Sequence, residues 1–250
     1  MSKFFVKEEQ ISNNRIKIIG EDVNHISNVL RMKKNDELQI CNQATGENYL
    51  SKIISISKTV VECEIEGKID KTTESNVDIT LFQGIPKFEK MELIIQKNTE
   101  VGIKNIVPVM MERTVVKLDD KLANKKLERW QKIAEIAAKQ SMRDIIPSIE
   151  NIIKTKDIDV TEFDAFLVAY ENENHNMLKS ELFKLREKNE KNKKYNIAVL
   201  IGPEGGISER EIEMLQAQKA KFISLGKRIL RTETAGLVMV GNIMYELEEE

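Results

Sequence analysis

Residues 197–211 read IAVLIGPEGGISERE: an apolar, β-branched run that breaks into a glycine-rich bend, with a helix start directly behind it. Five apolar residues in succession suit a strand buried on both faces. Gly202, Gly205 and Gly206 permit left-handed backbone and close approach of a ligand. Ser208 followed three residues later by Glu211 predicts a capping box at a helix N-terminus. Strand, tight bend and helix start ordinarily cradle phosphate. Glu204 argues against that guest, because like charges a few ångströms apart repel by roughly 4 kcal/mol at a surface-like dielectric. The bend also lacks a GxGxxG pattern and a Walker lysine. As a ligand site it suits a neutral or cationic molecule with hydrogen-bond donors, such as ribose hydroxyls, an adenine amine or a sulfonium; S-adenosylmethionine carries all three. Taken alone, the bend is equally a plain strand-to-helix turn.

The flanking sequence sets this strand among others. DITLFQG (78–84), IKNIVPVM (103–110), AFLVAY (165–170), NIAVLIG (196–202) and KFISLG (221–226) read as five strands. Between them PKFEKMELIIQKNTEVG (86–102) predicts a helix, with Pro86 near its start and Gly102 past its end. LANKKLERWQKIAEIAAKQSMR (122–143) predicts a long helix with Leu127, Trp130, Ile133, Ala134 and Ala137 at core spacing. TAGLVMVGNIMYELEEE closes the chain as a helix apolar on more than one face, suited to a core or to a partner subunit. Strands alternating with helices argue for an α/β domain with a parallel sheet covered on both faces, over 77–250. Its ligands belong beyond the carboxyl ends of the strands.

The first 72 residues have a different rhythm. RIKIIG, DELQICN, NYLSKIISIS and TVVECEIEG are short, partly alternating strands that suggest a small barrel. One helix, DVNHISNVLRM, interrupts them, with Val23, Ile26, Val29 and Leu30 expected on one face. The polar tract 68–76 is expected to be a linker, and 184–196 a solvated helix end and loop without a function.

Composition narrows the partners. The 250 residues are 41% hydrophobic and 32% charged with net charge −2, so nucleic acid would have to be held by a local patch. Cys41 and Cys63 show no CxxC spacing and, with His25 and His175, form no standard metal site. No apolar run is of membrane-spanning length, and the charged N-terminus does not suit a signal peptide; the expected location is the cytoplasm.

The second bend is LGKRILRTETA (225–235). It gathers Gly226, Lys227, Arg228, Arg231 and Glu233 at a strand-to-helix junction. Cations sit poorly at a helix N-terminus, so an anion or RNA contact is the simplest reason for Arg231. The plain alternative is a surface arginine paired with Glu233.

With both bends in view, the sequence resembles the SPOUT-class RNA methyltransferases, and within them the bacterial enzymes that methylate N3 of a uridine in small-subunit (16S) ribosomal RNA. HISNVLRMKKND, GIPKFEKMELIIQKNTEVGI, ERWQKIAEIAAKQSMRDIIP, LIGPEGGIS and LGKRILRTETA carry the likeness. It implies an α/β fold with a parallel sheet and a deep trefoil knot, preceded by a PUA-like β-barrel over residues 1–72 that helps hold RNA. It also implies a homodimer acting on 16S rRNA or the small subunit, with S-adenosylmethionine as cofactor and no metal or membrane. Cofactor contact carries over onto Leu200, Gly202, Pro203, Glu204, Gly205 and Gly206 of the first bend. In the second it carries over onto Leu225, Gly226, Ile229, Leu230 and Arg231. RNA contact carries over onto Arg31 and Arg143, with Lys33 and Lys34 flanking the former. Relatives often have a cysteine near KQSMR, where this chain has Ser141 and Met142.

Methylating N3 requires losing its proton while charge grows on O2 or O4, which a permanently charged guanidinium can stabilise. Arg231 is the first candidate for this role and Arg143 the second; Glu233 is the nearest matching carboxylate for a base. Nitrogen methylation needs no thiol nucleophile, and both cysteines read as buried small hydrophobes. Lys117, Lys121, Lys125, Lys126 and Arg129 make a basic helix start that is equally a solvated face. A methyltransferase acting on ribose 2′-OH or on tRNA, or a non-catalytic RNA-binding assembly factor, remain alternatives.

Overall fold

Alternation of period two builds the N-terminal sheet. In β3 (Arg15–Ile19) Ile16 and Ile18 are buried while Arg15, Lys17 and Ile19 face water. The computed structural model describes residues 3–188 and 194–248, folded as two units. The first takes in residues up to 74 together with 138–146.

This first unit holds β1 (Lys3–Val6), β2 (Ile11–Ser12), β3, β4 (Glu37–Asn42), β5 (Asn48–Ile56) and β6 (Val60–Ile69), in the order β1-β4-β5-β6-β3-β2. Register shifts between β5 and β6 at Leu50/Ser51 and Ile53/Ser55 help it curl. Phe4, Ile16, Ile18, Ile26, Leu38 and Ile40 fill the inside. The sequence pattern missed β1, because all four of its residues are buried and none alternates; Lys3 is buried through its ion pair with Asp144.

Two expectations for this unit need correcting. After α1 (Glu21–Asn24) the helix widens into a π turn, His25–Val29. Val23 and Ile26 are buried, but Val29 is 61% exposed and Leu30 37%; the wider winding takes both off the apolar face. Residues 68–76 do contain the boundary between the units, after Glu74, but the tract begins in strand rather than breaking it. β6 runs through Ile69, and the Thr72 hydroxyl and Thr73 amide donate to Asp144 at 2.9 and 2.8 Å.

The second unit contains β7 (Val77–Gly84), α2 (Lys90–Glu100), β8 (Asn105–Met110) and α3 (Asp120–Gln140), whose last residues belong to the first unit. There follow β9 (Ser148–Ile149), β10 (Ile153–Lys154), β11 (Ala165–Ala169), α4 (Leu178–Lys188), β12 (Tyr195–Ile201), α5 (Glu209–Ala217), β13 (Lys221–Ile223) and α6 (Thr232–Leu247). The sheet order is β10-β8-β7-β12-β11-β13, with β9 beside β8, and every pairing is parallel. All five expected strands are present; β9 and β10, two residues each, are too short to show periodicity. Most of the tract 184–196 lies at the end of α4 or outside the described residues.

On α6 the buried positions are Thr232, Ala235, Gly236, Met239, Val240, Ile243, Met244 and Leu247. That is one regular helical stripe, with Leu237 and Val238 half-buried beside it. It packs on α2, α4 and β7, leaving Tyr245 exposed.

Candidate active site

The carboxyl ends of β11, β12 and β13 lie side by side in the sheet, so the loops leaving them meet. They enclose a cavity of about 530 Å³, within the usual range for a small-molecule site. Tyr170, Glu171 and Asn174 contribute from the first loop, the glycine bend from the second, and residues 224–232 from the third; Lys90, opening α2, completes the wall.

Steric need explains the glycines. Gly206 has φ +73°, and a Cβ there would lie 2.9 Å from Glu171 Oε1. A Cβ on Gly205 would meet Arg113 Cβ at 2.9 Å, while Arg113 Nη1 donates to the Gly205 carbonyl at 3.2 Å. Gly84, ending β7, is tighter still: a Cβ would stand 2.6 Å from both Cδ and N of Pro203.

Behind the bend, the expected capping box is present: the Ser208 amide donates to Glu211 Oε2 at 3.1 Å, and the Glu211 amide donates to Ser208 Oγ at 3.3 Å. The buried Glu211 carboxylate also accepts from the Glu112 amide and the Thr155 hydroxyl, at 3.0 and 2.6 Å. The protein's own carboxylate thus takes donors that a phosphate would need at the start of α5.

Glu204 is not the lone charge that the sequence suggests. It accepts from the Lys87 amide at 3.1 and 3.2 Å and pairs with Lys90 Nζ at 3.0 Å. Partial burial pushes its carboxyl upward, but hydrogen bonds from its own backbone, Lys90 and Lys87 outweigh that and hold its pKa below the usual value. Lys90 also reaches Glu233 Oε2 at 3.4 Å, and its own pKa is raised, chiefly by its bond to Glu204. One ammonium therefore sits between two carboxylates, and Glu171 adds a third acid to this side of the cavity.

The two bends are clasped through a buried polar relay. Gln83 Nε2 donates to Thr232 Oγ1 at 2.9 Å, and that hydroxyl donates to the Gly202 carbonyl at 2.7 Å. β7, the first bend and the start of α6 are tied in one chain of bonds.

Of the residues expected at the cofactor, Gly202, Pro203, Glu204, Gly206, Leu225, Gly226, Ile229, Leu230 and Arg231 line the cavity. Leu200 and Gly205 do not: Leu200 is fully buried in the core facing Phe82 and Val168, and Gly205 packs against Arg113. Arg231 stands exposed at the N-cap of α6 with no ion pair among the described residues; Glu233 turns to Lys90 instead.

Arg143 does not line this cavity. It lies in the first unit, 4% exposed, with Nη2 2.5 Å from Glu74 Oε2. Its guanidinium pairs with Glu74, in the segment that follows β6, and so helps hold 138–146 within the first unit. Arg31, at φ +54°, Lys33 and Lys34 are exposed in the first unit. Burial pushes the thiols of Cys41 and Cys63 up to about 12, so neither is a thiolate nucleophile. His25 packs edge-on against Phe4, and His175 is exposed in the loop after β11.

Lys90, Gln83, Gly84 and Thr232 were missed by sequence reasoning. Gln83–Gly84 left a readable trace, a polar residue and a glycine ending an apolar strand; Lys90 left none, because its partners lie far along the chain.

Fold and cavity define a doubly covered parallel α/β protein with a small-molecule site at the carboxyl edge and a curled β-sheet unit before it. A family model described as "RNA methyltransferase domain" matches residues 73–244, and one described as "RNA methyltransferase PUA domain" matches 18–66. Ribosomal RNA small subunit methyltransferase E of Bacillus subtilis is 36% identical, over 99% of this chain and 98% of its own. The Neisseria gonorrhoeae enzyme of that name, solved bound to S-adenosyl methionine, superposes with TM-score 0.83 at 29% identity, covering 98% of this chain and 97% of its own. A Legionella pneumophila protein solved with the same cofactor gives TM-score 0.86 at 26% identity, covering 99% and 98%. The chain belongs to the ribosomal RNA small subunit methyltransferase E family. Its second unit is a parallel-sheet α/β domain of the SPOUT type and its first a curled sheet of the PUA-like type.

Proposed function

We propose that this chain transfers a methyl group from S-adenosylmethionine to N3 of a specific uridine in 16S rRNA of the small ribosomal subunit. The observation that carries the reading is the meeting of three carboxyl-end loops around one cavity whose wall includes Glu171 and Glu204, which suit a cationic guest better than a phosphate. The residues fit the cofactor. Glu171 and Glu204 offer acceptors for hydroxyls and for positive charge, backbone of the two bends can read an adenine edge, and Lys227, Arg228 and Arg231 can meet a carboxylate. When bound, the cofactor supplies an electrophilic methyl on a sulfonium.

The protein's part is alignment and charge. Holding the reacting groups in line is worth up to about 7–11 kcal/mol in favourable cases. Arg231, without an ion pair among the described residues, is our candidate for stabilising charge on O2 or O4 as the N3 proton leaves. Glu233, the carboxylate nearest Arg231 in sequence, faces Lys90 Nζ at 3.4 Å. Arg31, Lys33 and Lys34 serve the RNA backbone from the first unit, and we take the working unit to be a homodimer in the cytoplasm. Mass mapping of 16S rRNA from cells with and without this chain tests the reading. A methylated uridine lost with the chain supports it; an unchanged map rejects it.

A further inference from the structure

Phe88 is the least expected residue at this site. It is non-glycine with φ +57°, a conformation that bulky residues rarely adopt, yet its ring is 86% exposed. Burial in this chain therefore cannot be what holds the strain, and retained strain beside a cavity points to a function. Its neighbours fix where it stands. The Lys87 amide is bonded to both carboxylate oxygens of Glu204, and Lys90, two residues on, lines the cavity and pairs with the same carboxylate. The loop carrying Phe88 is thus fastened to the rim of the cofactor cavity. Ile229, which lines that cavity, is 85% exposed.

We infer that Phe88 is a substrate-positioning residue: its ring is a stacking face for the target base, or the nucleotide beside it, at the cavity mouth. An exposed aromatic beside Lys87 and two residues before Lys90, which shares the cavity wall with Lys227, Arg228 and Arg231, is the combination that holds a single nucleic-acid strand, with cations for the backbone and a π-face for a base. A base extracted from its stack needs such a replacement surface. The inference rests on the functional reading above and adds a residue to it.

The test compares the full-length protein with Phe88→Gly and Phe88→Tyr, on small-subunit rRNA from cells lacking the chain. Glycine adopts φ +57° freely, so Phe88→Gly keeps or raises the melting temperature, and it keeps S-adenosylmethionine affinity. It should nevertheless lose roughly ten- to hundredfold in kcat/KM for RNA, the range that loss of one stacked base implies. Phe88→Tyr retains the ring and should stay close to the original. Wild-type turnover by Phe88→Gly overturns the inference. So does a fall in activity accompanied by loss of cofactor binding, or by a change of oligomeric state in sedimentation, which would make Phe88 a contact between copies. An unmodified protein that methylates nothing strikes the functional reading itself, a result separable from all of these.

Discussion

Lys90 holds its single charge between Glu204 at 3.0 Å and Glu233 at 3.4 Å. Replacing it by Met leaves two carboxylates facing each other beside the cavity. Lys90→Met should lower the melting temperature, because it leaves two partly buried carboxylates without their shared cation. It should weaken S-adenosylmethionine binding by roughly tenfold, because Glu204 loses the cation that fixes its carboxylate at the cavity wall; Lys90→Arg should restore most of it. Arg231 poses the opposite case, a cation with no partner among the described residues. Arg231→Ala should keep the fold while kcat falls by roughly 10²–10³, as for loss of a charge-stabilising donor. Single-turnover methylation, with thermal melting alongside, checks both variants; near-normal turnover removes Arg231 from the chemistry.

At the scale of elements, the site depends on how closely β7 and the bend after β12 approach. Gly84→Ala would place a methyl 2.6 Å from backbone and ring atoms of Pro203, which cannot turn aside as a flexible side chain could. We expect a loss of about 1–3 kcal/mol in denaturant unfolding, as for overpacking elsewhere, together with weaker cofactor binding. Unchanged stability would show that the bend shifts freely. This scale also shows what a sequence can reveal. The capping box Ser208–Glu211, the five strands and the glycine bend are local patterns, and each was readable. The π turn after α1 was not, since Val29 and Leu30 keep α-helical spacing and only the backbone departs from it. The partners of Glu204, Glu211 and Thr232 come from distant segments, so no spacing announces them. Arg143 was legible as a residue of interest, but its burial against Glu74 was not.

For the whole molecule, acid stability reports on how 138–146 is held to the N-terminal sheet. Burial pushes the Asp144 carboxyl up, but bonds from Lys3, the Thr73 amide and the Thr72 hydroxyl prevail and hold its pKa below the ordinary 3.8. A depressed carboxyl stabilises the fold fully above its unfolded value and loses that contribution as pH falls through the folded one. The first unit should therefore loosen below about pH 4, and Asp144→Asn should lower stability at neutral pH while flattening the acid transition. Hydrogen exchange across β1 and β4 against pH would detect this; a flat profile in the original protein would contradict it.

The chemistry of this site turns on which ligand the converging loops accept. Isothermal titration of the purified chain with S-adenosylmethionine and, separately, with ATP measures that directly. Saturable binding of S-adenosylmethionine, weakened in Lys90→Met, with no comparable binding of ATP, is the predicted result. Tighter binding of ATP, or no binding of S-adenosylmethionine, would contradict it.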